Sequence, residues 1–315
     1  MLIEGEWTTE KRLADEEGRF VRQPTTFRDW ITADGSSGFK AGPNRYHLYV
    51  SWACPWAHRT AIMRKLKGLE EAIGLSVIDP IMGEGGWAFS EEHPDPVNGA
   101  SYLREIYTKA DPNYTGRVTT PVLWDKKEAT IVNNESREVM RMLDTEFEAF
   151  AKGDANFCPE DLREEMDRTL DELYEPVNNG VYKAGFATTQ AAYEEAVTKL
   201  FDALDRWEKA LGRRRYLCGD RITEADWAFF ATLVRFDPVY HYHFKCNLRR
   251  IVDYSNLWGY LRDLYQHPNV AETVDFDHIK RHYYISHESI NPTRIVPKGP
   301  ILNLDEPHGR ERLSG

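Results

Sequence analysis

The strongest constraint on the fold of this chain is a strand–helix–strand pattern that begins at Tyr46. Residues 46–50, with the sequence YHLYV, alternate as a strand does. Apolar residues then recur at helical spacing at Ile62, Met63, Leu66 and Leu69, and residues 75–78 (LSVI) predict the next strand. These elements together predict a βαβ unit.

A second set of elements completes this half of the chain. Residues 122–124 (VLW), the turn DKKEA and residues 130–132 (TIV) predict a hairpin, and Val139, Leu143 and Phe147 mark the inner face of a following helix. Between the two sets lie the glycine-rich stretch GEGGWAF and a long connection that we expect to be irregular. A β-α-β half joined to a β-β-α half is a thioredoxin-like layout.

Beyond residue 150 the pattern becomes helical. Helical periodicity covers residues 161–174, 190–211, 224–235 and 256–266, each flanked by caps or breakers. Thr223 and Asp226 have the spacing of a capping box, in which a hydroxyl and a carboxylate satisfy free backbone donors at the helix start. The fold class is therefore α/β plus all-α, with a thioredoxin-like domain followed by an all-helical domain.

The 36.5 kDa chain has the length of about two typical domains. We expect an N-terminal extension at 1–44, the thioredoxin-like domain at 45–150, the helical domain at 151–290 and a proline-rich tail at 291–315. The extension has only short apolar patches and is expected to pack on the body without its own core. The tail holds too many prolines for regular structure.

Charge and apolar runs exclude several classes of partner. The chain has 51 acidic and 40 basic residues, a net charge of −11, with its basic residues scattered, which argues against nucleic acid. No apolar stretch approaches the ~18 to 20 residues that span a bilayer, and the N-terminus lacks the apolar core of a signal peptide. We therefore expect a soluble, cytoplasmic protein. Four cysteines without paired spacing predict reduced thiols.

Cys54 lies where the first strand of the βαβ unit passes into its helix, directly before Pro55. The free N–H groups and the positive dipole end of a helix stabilise an anion, so we expect this thiol to ionise readily and act as a nucleophile. A small, buried and inert thiol is the alternative. The position three residues on, where two-cysteine redox motifs have their second thiol, is Ala57, so a thiol from outside the chain must resolve any disulfide at Cys54.

The stretch SWACPWAH resembles the active-site signature of the glutathionyl-hydroquinone reductases, the xi class of glutathione transferases, whose hallmark is Cys-Pro-Trp-Ala. RVTTPVLWDKK, NNES, NNGVYKAGFA, LVRFDPVY and LDEPHGR are also similar to that family, so the resemblance spans nearly the whole chain. Omega-class transferases and dehydroascorbate reductases have a related Cys-Pro motif. Trp56, the extension and the tail favour the xi class.

The resemblance implies a glutathione site with six members: Trp87, Arg117, Thr120, Pro121, Glu135 and Ser136. It implies a cis peptide at Thr120–Pro121 and backbone contacts from Thr120 to the cysteinyl part of glutathione. Glu135 and Ser136 would hold the γ-glutamyl end at a helix N-terminus. Plain helix capping is the alternative for this pair.

The same resemblance assigns the electrophile's half of the site to the helical domain, through three tyrosines: Tyr182, Tyr240 and Tyr283. Each on its own would suit a core tyrosine with a satisfied hydroxyl. The family also implies a homodimer joined through the helical domains. Glutathione is expected as co-substrate, with no permanently bound cofactor.

The implied reaction is the reduction of a glutathionyl-hydroquinone to a hydroquinone through a Cys54–glutathione mixed disulfide, which a second glutathione resolves. One alternative is an omega-like thioltransferase or dehydroascorbate reductase. Another is a non-catalytic binding module with the glutathione-transferase fold, although a binder has no need of a nucleophile.

Histidines and a cysteine form two groups that require a test as metal sites. One group is His241, His243 and Cys246, and the other is His278 with His282, one helical turn apart. Neither group has a fourth ligand at regular spacing or the glutamate of metalloprotease helices. We therefore expect no metal site and interpret these histidines as structural or close to the quinol.

Overall fold

The computed structural model describes residues 1–9 and 14–313. These residues form two compact units. The first unit consists of residues 1–9, 23–155 and 273–286, and the second of residues 14–22, 156–272 and 287–313. The domain boundaries given above stay predictions.

The first unit is built on a four-stranded sheet. Four short strands come first in the chain and form two separate pairs: β1 (Leu2–Ile3), β2 (Glu6–Trp7), β3 (Ile31–Thr32) and β4 (Phe39–Lys40). The strands of the four-stranded sheet are β5 (Tyr46–Val50), β6 (Ile73–Val77), β7 (Val122–Asp125) and β8 (Thr130–Asn133). The spatial order is β6-β5-β7-β8. Strands β5 and β6 are parallel, whereas β7 pairs antiparallel with both β5 and β8. The thioredoxin-like layout is confirmed.

Three helices of this unit follow the sheet in chain order: α1 (Pro55–Leu66), α2 (Leu103–Ala110) and α3 (Ser136–Thr145). Helices α1 and α3 agree with the predicted pattern, although Phe147 lies just beyond the end of α3 and is nonetheless buried. Helix α2 lies inside the connection that was expected to be irregular, so that expectation was wrong. Its eight residues make two turns, and its buried residues are Leu103, Ile106 and Tyr107.

The core of the first unit forms under the sheet, where β5, β7 and α2 meet. Tyr49, Ile106, Tyr107, Trp124 and Ile131 are all buried there. Leu2, from the N-terminal extension, is buried in the same cluster and bridges to Gly116. The extension therefore contributes side chains to the core of this unit, as a segment without a core of its own must.

The second unit is helical. It contains α4 (Arg163–Leu173), α5 (Gly180–Gly185), α6 (Gln190–Leu211), α7 (Glu224–Arg235) and α8 (Ser255–Tyr265). The predicted bounds of α6 and α7 are those of the structure. The short α5 and a last helix, α9 (Phe276–Ser286), were not predicted, and α9 belongs to the first unit.

The C-terminal tail is mostly irregular, as predicted, with one short 3₁₀ turn at Glu311–Leu313. Its Arg310 is buried, and one of its terminal nitrogens lies within hydrogen-bond distance of the carbonyl oxygens of Leu211, Arg214 and Arg215, at 3.1, 2.9 and 2.6 Å. The guanidinium thus satisfies carbonyl groups after the end of α6. No helix among the residues described is long and apolar enough to cross a membrane.

The capping box at the start of α7 is present, with both of its reciprocal hydrogen bonds. The Asp226 carboxylate accepts hydrogen bonds from the backbone N–H groups of Thr223 (2.8 Å) and Leu217 (2.9 Å) and from the Tyr260 hydroxyl (2.7 Å). Asp226 is fully buried. One carboxylate therefore joins α7, α8 and the loop before α7.

Replacing this carboxylate should destabilise the helical unit. Asp226→Ala leaves several buried donors unpaired, so we expect a loss of about 3 kcal/mol or more in the free energy of unfolding. Urea unfolding measures it. Asp253→Ala is the matched control, since Asp253 holds the same position in the capping box of Ile251–Asp253 but is exposed. Equal effects of the two substitutions would contradict this account.

Candidate functional site

Cys54 is the N-cap residue of α1, with φ −76° and ψ 116°, and Pro55 is the first helical residue. Its backbone carbonyl accepts the first hydrogen bond of the helix, from the His58 N–H at 2.9 Å. Cys54 is half-buried, and its thiol donates to the Thr120 carbonyl oxygen at 3.4 Å. The side chain thus lies between a helix N-terminus and the backbone that precedes β7.

The Thr120–Pro121 peptide is cis, which confirms that expectation. Thr120 is buried, and its hydroxyl oxygen has no hydrogen-bond partner among the described residues. Buried hydroxyl groups without a partner are rare in folded proteins. Next to the Cys54 sulfur, this segment offers backbone groups and a free hydroxyl to a polar ligand.

The start of α3 provides further polar groups. Glu135 is its N-cap residue, and its carboxylate accepts hydrogen bonds from the Arg137 N–H at 3.3 Å and the Thr25 hydroxyl at 3.2 Å. The capping role that was the alternative for Glu135 is therefore present. Ser136 is the first helical residue, is 2% exposed, and its hydroxyl has no partner among the residues described. A free hydroxyl at a helix N-terminus suits a carboxylate.

Tyr107, which the sequence analysis missed, joins these two segments. Its hydroxyl donates to the Thr119 carbonyl oxygen at 2.8 Å and accepts from the Thr119 N–H at 3.2 Å and the Asn134 side-chain amide at 3.0 Å. Burial raises the pKa of Tyr107, so the hydroxyl stays protonated. One phenol thereby fixes the residue before Thr120 and the residue before Glu135. The apolar spacing within α2 was the signal that could have revealed it.

Trp87 lies in a loop that three segments of the first unit hold in place. Its ring stacks on His282 of α9, with centroids 4.7 Å apart and planes 14° apart. The Trp7 indole N–H donates to the Glu84 carbonyl oxygen at 3.0 Å, and the Arg104 guanidinium donates to the Gly85 carbonyl oxygen. Gly86 has φ +84°, and a Cβ there would meet the Trp7 ring, so this turn requires glycine.

Helix α9 contacts the turn at residues 51–54, called here the cysteine turn, and also the loop after β6. His278 Nε2 lies 3.2 Å from the hydroxyl of Ser51, whose carbonyl accepts the Cys54 N–H, and His282 Nδ1 donates to the Pro80 carbonyl oxygen at 2.8 Å. Burial lowers the pKa of His278 to about 3 and the pKa of His282 to about 4. Both rings are neutral near pH 7 and have structural contacts. These two histidines were expected to be either structural or close to the quinol, and their contacts agree with a structural role.

Arg117 is half-buried two residues before Thr119. Its N–H donates to the Gln23 side-chain oxygen at 3.2 Å, and its carbonyl accepts from the Tyr114 hydroxyl at 3.0 Å.

Tyr283, which was expected in the helical domain, belongs to the first unit. It is buried on α9 next to His282.

The helical unit brings Tyr182 and Tyr240 together, with ring centroids 6.0 Å apart. Tyr240 is buried and Tyr182 is half-buried. Phe186 and Phe244 pack on the Tyr182 ring at 6.3 and 5.4 Å. The two tyrosines thus form part of one aromatic cluster in which Tyr182 retains some exposure.

Both tyrosines are positioned by π-helical turns. Tyr240 ends the turn Phe236–Tyr240, and Tyr182 follows the turn Tyr174–Asn178. Each turn has a proline in its third position, Pro176 or Pro238, whose missing N–H interrupts the α-helical hydrogen bonds. Such turns are frequent at functional sites. The shared sequence pattern of acidic residue, proline and valine (EPV and DPV) was the signal for them.

The other three cysteines, Cys158, Cys218 and Cys246, are buried. Burial raises the pKa of Cys218 and of Cys246, which keeps both as thiols. Among the described residues, Cys54 is therefore the one cysteine that is not buried. Within the described part of the chain, no group of three or more metal-ligating side chains is close enough to hold a metal ion.

Family models match both halves of the chain. The model described as the N-terminal domain of glutathione S-transferase matches residues 53–146, and the model of the C-terminal domain matches residues 190–263. The first match includes Cys54, Thr120 and Ser136.

Two curated relatives match nearly the full chain. The glutathionyl-hydroquinone reductase YqjG of Escherichia coli is 53% identical, covering 98% of each chain. The glutathionyl-hydroquinone reductase PcpF of Sphingobium chlorophenolicum is 52% identical over 96% of this chain and 97% of its own.

Solved structures agree with this relationship. A xi-class transferase from Natrialba magadii superimposes with a TM-score of 0.95 at 54% identity, covering 100% of this chain and 97% of that one. The structure of YqjG with glutathione bound gives a TM-score of 0.91 at 52% identity, covering 98% of both chains. The chain belongs to the xi class of glutathione transferases, the family of the glutathionyl-hydroquinone reductases.

Proposed function

We propose that this protein reduces glutathionyl-hydroquinones to hydroquinones, with glutathione as co-substrate, through a mixed disulfide at Cys54. The observation that carries the proposal is the position of Cys54, the half-buried cysteine at the N-terminus of α1 with its sulfur against the Thr120 backbone. The names of the relatives YqjG and PcpF, at 53% and 52% identity, describe the same reaction.

Glutathione is proposed to bind along the segments that Tyr107 joins. The Thr120 backbone and Pro121 would receive its cysteinyl part, and Ser136 with Glu135 its γ-glutamyl end. Two buried hydroxyl groups without partners in the described chain, on Thr120 and Ser136, support this assignment. The carboxylate of the γ-glutamyl group suits the N-terminus of the ten-residue helix α3. Trp87 and Arg117 complete the proposed site by family resemblance.

The first chemical step breaks a carbon–sulfur bond. The Cys54 thiolate attacks the glutathionyl sulfur, an S–S bond forms, and the aromatic carbon leaves with the bonding electron pair. This carbon is a poor leaving group unless the quinol is bound as its keto tautomer, in which the same carbon already has a hydrogen. The electron pair then moves to the carbonyl oxygen, and one proton on that oxygen gives the hydroquinone.

The three tyrosines have a role at this oxygen. Hydroxyl groups of Tyr182, Tyr240 and Tyr283 are proposed to stabilise the developing oxyanion and supply its proton, and a well-placed donor contributes about 3 kcal/mol. The pairing of Tyr182 with Tyr240 and their π-helical turns support this role. In the second step a free glutathione attacks the mixed disulfide, which releases oxidised glutathione and restores Cys54.

We also propose a homodimer joined through the helical units, and a cytoplasmic location. The family resemblance supports the dimer. Four unpaired cysteines are typical of a protein from a reducing compartment. Sedimentation equilibrium tests the dimer, since a mass of 36.5 kDa at micromolar concentration would contradict it.

Removing the Cys54 sulfur should abolish the reaction. For Cys54→Ser we expect turnover of glutathionyl-menadione to fall by about a thousandfold or more, because an alcohol cannot form the mixed disulfide. Intact-mass analysis after incubation with oxidised glutathione should show one adduct on the wild type and none on this variant. Cys158→Ser is the matched control and should keep both the turnover of glutathionyl-menadione and the single glutathione adduct. An adduct on any cysteine other than Cys54 would show the assignment to be wrong.

Removing the Ser136 hydroxyl should weaken glutathione binding. We expect Ser136→Ala to raise KM for glutathione about tenfold, since a hydrogen bond to a charged group contributes about 1.5 kcal/mol or more, with little change in kcat. Ser255→Ala is the control, because Ser255 is the first residue of α8 in the other unit. An unchanged KM in Ser136→Ala would exclude this contact.

Two substrates separate a quinol reductase from a general thioltransferase. We expect kcat/KM for glutathionyl-menadione to exceed that for hydroxyethyl disulfide by about a hundredfold, since an oxyanion donor that contributes about 3 kcal/mol assists only carbon–sulfur cleavage. Steady-state kinetics with both substrates at equal enzyme concentration gives the ratio. Preference for the disulfide would support the omega-like alternative.

A further inference from the structure

The Tyr182 ring has a cation on its face that no part of the proposed mechanism uses. The guanidinium carbon of Arg22 lies 5.0 Å from the Tyr182 ring centroid and 5.3 Å from the centroid of Phe20. Arg22 belongs to the N-terminal extension, yet it groups with the helical unit that contains Tyr182. A cation within about 6 Å of an aromatic face is attracted by the ring's electrons.

Asn179, three residues before Tyr182, holds both Arg22 and the Tyr182 backbone in place. The Arg22 Nε–H donates to the Asn179 side-chain oxygen at 2.8 Å, and Asn179 is 3% exposed. The Asn179 carbonyl accepts from the Tyr182 N–H at 3.0 Å, and its own N–H closes the π-helical turn on Tyr174 at 2.8 Å. Asn179 thus fixes both the cation and the ring, so their separation is set by one rigid turn.

Aromatic rings flank this pair. Phe20 is 5% exposed and stacks on Tyr182 with centroids 6.4 Å apart, and Phe186 stacks on both rings. Arg22 is half-buried. A half-buried charge is screened less than one in open water. A cation on the face of a phenol draws electron density from the ring, which makes the hydroxyl a stronger hydrogen-bond donor.

We propose that Arg22 is a positioning residue that acts through Tyr182 to stabilise the oxyanion formed when the carbon–sulfur bond breaks. The inference rests on the proposed function, because that oxyanion exists only in quinol reduction. Reduction of a simple disulfide expels a thiolate and needs no oxyanion donor. Arg22 should therefore affect one reaction of the enzyme and leave the other intact.

Neutral and charged replacements of Arg22 test this separation. We expect Arg22→Gln to lower kcat for glutathionyl-menadione about tenfold, with KM little changed, because the cation supports the Tyr182 hydroxyl more in the transition state, where the oxyanion forms, than in the ground state. Arg22→Lys keeps the charge and should lose less. Both variants should reduce hydroxyethyl disulfide within about twofold of the wild type, which also reports that they are folded. Wild-type quinol turnover in Arg22→Gln, or a parallel loss of both activities, would overturn the inference.

A double-mutant cycle shows whether the effect passes through the phenol. In the Tyr182→Phe background, Arg22→Gln should cause little further loss of kcat, because the hydroxyl on which it acts is absent. Fully additive losses would contradict the proposal. A wild-type enzyme without glutathionyl-menadione turnover would overturn the proposed function and this inference together, whereas an active wild type with an equally active Arg22→Gln overturns the inference alone.

Discussion

The Tyr107 hydroxyl is the contact on which the first unit's site depends. The backbone before β7, which Cys54 reaches, and the start of α3 are brought side by side by the β7–β8 hairpin. The Tyr107 phenol then ties these two segments together, because it bonds to both Thr119 and Asn134. The phenol is fully buried, so an unmade hydrogen bond there would be costly. The geometry of the proposed glutathione site is therefore held in part by a buried core residue, Tyr107, that is not itself proposed to touch the ligand.

Other residues of the proposed site are also held in place by supporting residues. In the helical unit, two prolines widen two helices at the places where Tyr182 and Tyr240 are needed, and Asn179 ties Arg22 to the first of them. In the first unit, α9 supports the cysteine turn through His278 and the Trp87 ring through His282. In each case a group with no chemical role fixes one that has a proposed role, which is how a preorganised site keeps its geometry.

Local patterns predicted the elements that are long or strongly periodic. Helices α6 and α7, the βαβ unit and the hairpin follow from apolar spacing and turn residues, and Cys54 stands out because a proline follows it at a strand end. The short helices α2 and α5 were missed, since eight and six residues give few periodic apolar positions. Helix α9 was missed although it is as long as α4 and α8. Tyr107 and Arg22 were missed for a different reason. Their roles depend on partners that are distant in the chain, and only the folded structure brings these together.

The proposed mechanism requires that the Cys54 sulfur itself takes the glutathionyl group from the quinol. A single-turnover experiment tests it most directly, with enzyme and one equivalent of glutathionyl-menadione mixed without free glutathione, quenched with acid and mapped by mass spectrometry. The account predicts one menadiol released per enzyme and one glutathionyl group on Cys54. Unmodified Cys54, with menadiol released only after glutathione is added, would contradict it, because glutathione would then attack the substrate directly.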